Sequence, residues 1–177
     1  DQRTRGAMLD EGLDILTGLW SGAPFSYDGK HYQITAAHFQ PTPIQQPRIP
    51  IWVGGFWPHT APMRRAARWD GVFPLMSMER IEPEEEMRLF RACVTYVRAQ
   101  RAQQGIIESP DRPFDVIALG ATEPYGAPHT ITADYADAGA TWWLEIIVPW
   151  RFGWQGAGDW PLNLMRERVL QGPPHTP

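Results

Sequence analysis

The chain has 177 residues, enough for one ordinary domain with a real core, and 43% of them are hydrophobic, as in soluble globular proteins. A net charge of −4 argues against nucleic acid as the main partner. No apolar run approaches a membrane span, no signal peptide opens the chain, and the single cysteine, Cys93, excludes a disulfide framework and fits the cytoplasm.

Leu9, Leu13, Leu16 and Trp20 recur at helical spacing between Thr4 and Trp20, with Met8, Ile15 and Leu19 widening the stripe. Ser21-Gly22 ends that helix. Phe25 to Tyr32 reads as a hairpin around Asp28-Gly29, a preferred two-residue turn. The connector carrying Pro41, Pro43, Pro47 and Pro50 is too rigid and too poor in donors for a helix. It leads into Ile51-Trp52-Val53, a short run of β-formers that reads as a buried strand. Gly54-Gly55 then lets the backbone turn, Thr60 is the expected N-cap, and an Ala- and Arg-rich helix follows.

Val72 to Leu75 is the next strand, after Asp70-Gly71. Pro83 and Glu84, Glu85 and Glu86 suit the first turn of a long helix, with Met87, Phe90, Val94 and Val97 as its buried stripe and Gly105 at its end. Phe114–Leu119 is a strand, Thr130–Ala138 a helix closed by Gly139, Thr141–Val148 a strand, and Trp160–Leu170 a last helix. Residues 1–48 thus hold a helix and a hairpin, and 49–177 four strand–helix units of one partial α/β domain. Strand–helix alternation implies parallel pairing with right-handed crossovers. A small doubly wound sheet and half of an eight-stranded barrel both satisfy it; a whole barrel needs ~250 residues.

Taken together, several stretches resemble the second half of a luciferase-like monooxygenase. They are Asp10-Glu11-Gly12-Leu13-Asp14-Ile15-Leu16, Tyr27-Asp28-Gly29-Lys30-His31-Tyr32, Pro41 through Gly55, and Arg65-Ala66-Ala67-Arg68-Trp69-Asp70-Gly71-Val72. The family comprises flavin- and deazaflavin-dependent oxidoreductases on a TIM (β/α)₈ barrel. The resemblance is strongest over Asp10–Leu75 and continues to Thr141-Trp142-Trp143-Leu144-Glu145. It implies that Ile51–Gly54 is barrel strand five and Thr141–Val148 strand eight. It also implies an FMN or deazaflavin phosphate held by the loop after strand five, at Gly54, Gly55, Phe56, Trp57, His59 and Thr60. Strands one to four, which in the family carry much of the flavin bed and the substrate-facing groups, have no counterpart, and neither does the usual long insertion after strand seven. The catalytic residues are therefore unknown, and the chain alone is expected to be inactive.

Each of these residues also has a plainer reading. Gly54-Gly55 is either a phosphate cradle or a tight strand-to-helix turn. Arg64 and Arg65, unfavourably placed near a helix start, either meet a phosphate or form a solvated basic face with Arg68. In Thr141–Val148, Trp142, Leu144, Ile146 and Val148 make an apolar face suited to covering helices. Thr141, Trp143, Glu145 and Ile147 make the inner face, on which Trp143 and Glu145 are substrate-pocket candidates unless Glu145 salt-bridges a rim arginine. His31, His38, His59, His129 and His175 lack metal-ligand spacing, so no metal is expected. Cys93 lies on a helical stripe and reads as core.

The function expected is an oxidoreductase or monooxygenase acting on a small organic substrate with reduced flavin. The alternative is a non-catalytic α/β half-barrel binding module that oligomerises. The nine tryptophans suggest aromatic-lined surfaces, and Asp1 in first place suggests a fragment. Two bare strand edges, Ile51–Gly54 and Thr141–Val148, and an inner face carrying Val53, Trp143 and Ile147, point to a homo-oligomer or to pairing with an absent N-terminal half.

Overall fold

The computed structural model describes residues 1–76, 81–109, 113–122 and 130–173, so His129 and His175 lie outside the described residues. Contacts divide the chain into two units, Asp1–Ile51 and Trp52–Pro177.

In the first unit, helix α1 (Gln2–Trp20) starts on Asp1, whose carboxylate accepts the Thr4 N–H at 2.7 Å. Strands β1 (Phe25–Asp28) and β2 (Gln33–Ala37) form the hairpin. Its turn is longer than Asp-Gly chemistry predicts: Asp28 pairs with Gln33, leaving a loop of Gly29 through Tyr32. The physical reason is tertiary. Glu11 on α1 accepts the Lys30, His31 and Tyr32 N–H groups at 3.0, 2.9 and 3.1 Å, a set of bonds a two-residue turn cannot offer.

The second unit alternates as expected: β3 (Trp52–Phe56), α2 (Thr60–Ala66), β4 (Gly71–Leu75), α3 (Pro83–Gln103), β5 (Asp115–Gly120), α4 (Thr130–Asp137), β6 (Trp142–Glu145), a 3₁₀ turn (Pro149–Phe152) and α5 (Leu162–Leu170). The four strands form one parallel sheet in the order β3-β4-β5-β6. The last strand is shorter than the apolar run Thr141–Val148, because Pro149 begins a tight turn that Gly153 closes with φ 87°.

One face of this sheet is packed. Val53, Val72, Val116 and Ala118 are all buried, as are Met63 and Ala66 of α2 and Phe90, Cys93, Val94 and Val97 of α3. Cys93 is core, as its stripe predicts: its Sγ lies 3.3 Å from the Met63 sulfur, and burial pushes the thiol pKa up to about 12. Arg101, also buried, donates to the Ala67 and Trp69 carbonyls at 3.0 and 2.9 Å, a cation placed just beyond the C-terminal end of α2.

The other face, carrying Trp52, Phe73, Asp115, Ile117, Leu119, Trp142 and Leu144, is more open towards β3 and β6, with Trp142 half exposed, although Ile117 on β5 is fully buried. This reverses the faces expected for the last strand. Trp143 packs on Tyr135 of α4 with ring centroids 5.5 Å apart, and Tyr135 packs edge-on against Phe90 of α3, so Trp143 and Glu145 lie on the helix side. Val53, expected on the inner wall, is likewise on the helix side. Alternation fixes which residues share a face; helix docking decides which face is covered.

Candidate functional site

In parallel α/β sheets ligands gather at the C-terminal ends of the strands. At that end of β3 the turn begins at Trp57, later than expected. Gly54 and Gly55 belong to the strand and pair with Phe73 and Pro74 of β4. Trp57 N–H donates to the Leu75 carbonyl at 2.9 Å, and His59 N–H to the Phe56 carbonyl at 3.0 Å. Strand alternation turns the Gly55 N–H towards β4 as well, while those of Gly54 and Phe56 point to the open edge. Three converging donors therefore do not form over Gly54, Gly55 and Phe56, because a strand aims successive amides in opposite directions.

The two glycines have different reasons to be glycine. A Cβ on Gly55 would fall 2.3 Å from Cβ of Pro62 and 3.3 Å from the Met63 methyl, so its space is filled by α2. A Cβ on Gly54 would meet nothing nearer than the Phe73 carbonyl at 3.6 Å, so the open face above it has room for a bound group. Thr60 is also corrected. The N-cap is His59, which makes no side-chain cap bond, and Thr60 is the first helical residue. Its hydroxyl accepts from Arg64 at 2.9 Å, one turn on, so that pair satisfies itself locally. Trp57 stacks obliquely on Tyr96 of α3, with centroids 5.4 Å apart.

Glu145, at the C-terminal end of β6, is a heavily bonded carboxylate. One oxygen accepts the N–H and hydroxyl of Thr122, both at 2.9 Å, and Arg151 Nη1 at 2.7 Å, with Arg168 Nη2 at 3.3 Å. The other accepts the Trp143 indole N–H at 2.8 Å. Burial pushes the Glu145 pKa up, but the bonds from Trp143, Arg151 and Thr122 outweigh it and hold the carboxyl below its usual range. Arg151 also donates to the Ile146 and Thr122 carbonyls, and Arg168 to the Thr122 hydroxyl and the Gly172 carbonyl. The cluster ties the end of β5, the 3₁₀ turn and α5 to the end of β6. A carboxylate held this way is a poor proton acceptor. Sequence reasoning anticipated an arginine partner for Glu145 but missed Thr122, Arg151 and Arg168, which no motif marks.

At the N-terminal end of the open face, the indoles of Trp52 and Trp142 both donate to Asp115, at 2.9 and 3.0 Å, and their rings meet at 5.3 Å. Gly71 lies beneath them: a Cβ there would come within 2.6 Å of the Trp52 ring. This clasp forms a floor at the end of the face remote from Trp57 and Glu145. A separate cavity of about 220 Å³ sits beside the start of β6, lined by Thr132, Tyr135, Ala140, Thr141 and Trp142 among others. Among the described residues, no group of three or more His, Cys, Asp or Glu is placed to hold a metal, and no helix is long and apolar enough to cross a membrane.

Comparison with known proteins agrees with the sequence resemblance. An uncharacterized protein of Mycobacterium bovis and uncharacterized proteins from two strains of Mycobacterium tuberculosis are each 43% identical to this chain over 67 residues, 38% of its length. The match spans 22% of each of those proteins. The pattern of the luciferase-like monooxygenases matches residues 1–119, two thirds of the chain and nearly the whole run from α1 to β5. The parallel sheet and this match together place the chain in the luciferase-like monooxygenase family of oxidoreductases.

Proposed function

We propose that this chain forms the strand-five-to-eight half of a (β/α)₈ oxidoreductase that works with reduced FMN or a deazaflavin coenzyme on a small organic substrate. The observation that carries this reading is the family match through β3 and the turn that follows it. The open space over Gly54, at the ligand end of the sheet, fits a bound group; the space beside Gly55 does not, because Pro62 fills it.

In this reading Gly54, Phe56 and the Trp57–Thr60 turn border the coenzyme, with Arg64 able to turn its guanidinium from Thr60 to a phosphate. The coenzyme would supply the redox chemistry, hydride transfer or oxygen activation. The chain's own part is to give it one wall: Gly54 allows close approach, Phe56 and Phe73 exclude water, and the Glu145 cluster holds the neighbouring loops in place.

Flavin fluorescence quenching tests the wall. Gly54→Asp adds bulk and negative charge where there is room for both, so the fold should survive and the FMN dissociation constant should rise at least tenfold, ~1.4 kcal/mol. An unchanged constant would remove β3 from the site. The chain by itself should not oxidise NADPH or a reduced deazaflavin above the no-protein rate; turnover would show that the half carries the catalytic groups.

A further inference from the structure

The loop between β6 and α5 carries three of the chain's nine tryptophans, Trp150, Trp154 and Trp160, and lies beyond residues 1–119, which the family pattern matches. Its base is pinned from both sides: Arg151 before it and Arg168 of α5 after it reach the same Glu145 oxygen. Above that base the loop folds on itself. The Trp154 backbone N–H donates to the Pro149 carbonyl at 3.2 Å, and its indole N–H to the Gly158 carbonyl at 3.1 Å. Gly156 and Gly158, with φ of 91° and 76°, double the chain back so that the second bond can close. At the far end the Leu162 N–H donates to the Trp160 carbonyl at 2.7 Å. These three bonds all lie within Pro149–Leu162, so the loop owes its shape to its own residues.

The loop holds two indole rings in a corner, with centroids 6.4 Å apart and planes at 68°. A corner of that angle offers a small rounded group a π face on each side. Indole faces carry the negative part of the ring quadrupole, so the group that gains most is a cation with a methylated, weakly hydrated surface. The charge of the loop agrees. Asp159 is the single formal charge from Gly153 to Pro161, and it makes no hydrogen bond or ion pair among the described residues. It does not cap α5, whose N-cap is Pro161 with no side-chain cap bond. The nearest arginine in sequence, Arg151, is engaged by Glu145 and lies over the Phe152 ring at 5.5 Å, away from the tryptophan corner.

We propose that Trp154, Trp160 and Asp159 form a binding corner for a quaternary or methylated ammonium group. The two indoles supply the π faces and Asp159 the counter-charge. The bond from Trp154 to Gly158 fixes one ring before the ligand arrives, so little side-chain freedom is lost on binding. The loop follows the C-terminal end of β6, the end at which such sheets hold ligands, which assigns the ammonium group to the organic substrate. That assignment rests on the coenzyme reading above; the corner itself does not.

Titration of the intact, isotope-labelled chain with choline, followed through the indole N–H resonances, tests the corner. Choline should shift the Trp154 and Trp160 signals and bind at least ~tenfold more tightly than the alcohol in which carbon replaces its nitrogen. Trp160→Leu, at a residue 55% exposed, should weaken choline binding about tenfold with far-UV circular dichroism unchanged. Asp159→Asn should weaken it about threefold. No shift at ~100 mM choline overturns the proposal. Equal affinity for choline and its carbon analogue also overturns it, since the corner would then be merely apolar. So does binding that both variants leave unchanged, which would put choline elsewhere. Flavin fluorescence quenching on the same sample keeps the two readings apart. Choline binding without FMN binding upholds the corner and removes the coenzyme reading, and FMN binding without choline binding does the reverse.

Discussion

The two faces of the β3–β6 sheet are built from the same strands, yet they behave as different materials. On the helix side Val53, Val72, Val116 and Ala118 are almost wholly sealed, and the one carboxylate, Glu145, has its oxygens bonded to a threonine, a tryptophan and two arginines. On the open side the largest residues, Trp52 and Trp142, remain well exposed, and the carboxylate, Asp115, is held by indole N–H groups. The difference teaches that burial, more than residue type, sets what each group can do. A charge on the packed face must be fully paired, while on the open face large aromatic rings stay in reach of solvent among the described residues.

The largest test of this contrast is Glu145→Ala. It strands Arg168 and Arg151 without their counter-charge and should lower stability by ~3 kcal/mol, read as a loss of urea midpoint. An effect near zero would mean the packed face does not need its ion cluster. The same carboxyl sets a pH dependence. Its folded pKa is depressed, so its contribution is present above the ordinary glutamate pKa and is lost as pH falls through the lowered folded value. Urea midpoints measured from pH 7 down to 3 should fall in the wild type and change less in Glu145→Gln, in which nothing titrates at that position.

Next in size is the glycine pair. Gly55→Ala forces a methyl against the Pro62 ring and should destabilise by ~1–3 kcal/mol, whereas Gly54→Ala points into open space and should lie within about 0.5 kcal/mol of wild type. Equal losses at the two positions would dissolve the distinction between the faces. The smallest expected effect is on the open side. Trp142→Phe keeps an aromatic ring but removes the indole bond to Asp115, and should shift stability by ~1 kcal/mol. A larger loss would mean that the clasp carries the sheet as well as flooring it.

Much of this architecture was legible in the residues. Helical stripes gave α1 and α3, Pro83 and three glutamates marked the start of α3, and runs of β-formers between glycine turns gave four strands in the right order. These are local signals, and parallel pairing follows once strands and helices alternate. The Asp28-Gly29 turn and the facing of β6 differ from the local reading for want of a distant partner, and the Thr60 cap because the helix starts one residue earlier in the cap frame, on His59. Glu11 reshapes the hairpin loop from another element, Arg64 claims the Thr60 hydroxyl, and α4 settles which side of β6 is covered.

By itself, then, the sequence determined the order and type of the elements, the family, and the alternation that groups Trp142 with Leu144 and Trp143 with Glu145. Only the tertiary structure decided which of those groups faces the helices, why packing requires glycine at 55 but leaves open space over 54, and that Thr122, Arg151 and Arg168 converge on one carboxylate from 23, 6 and 23 residues away. Periodicity is a property of neighbours along the chain. Sidedness and ion pairing depend on segments that meet only when the helices dock, and nothing in local spacing encodes that meeting.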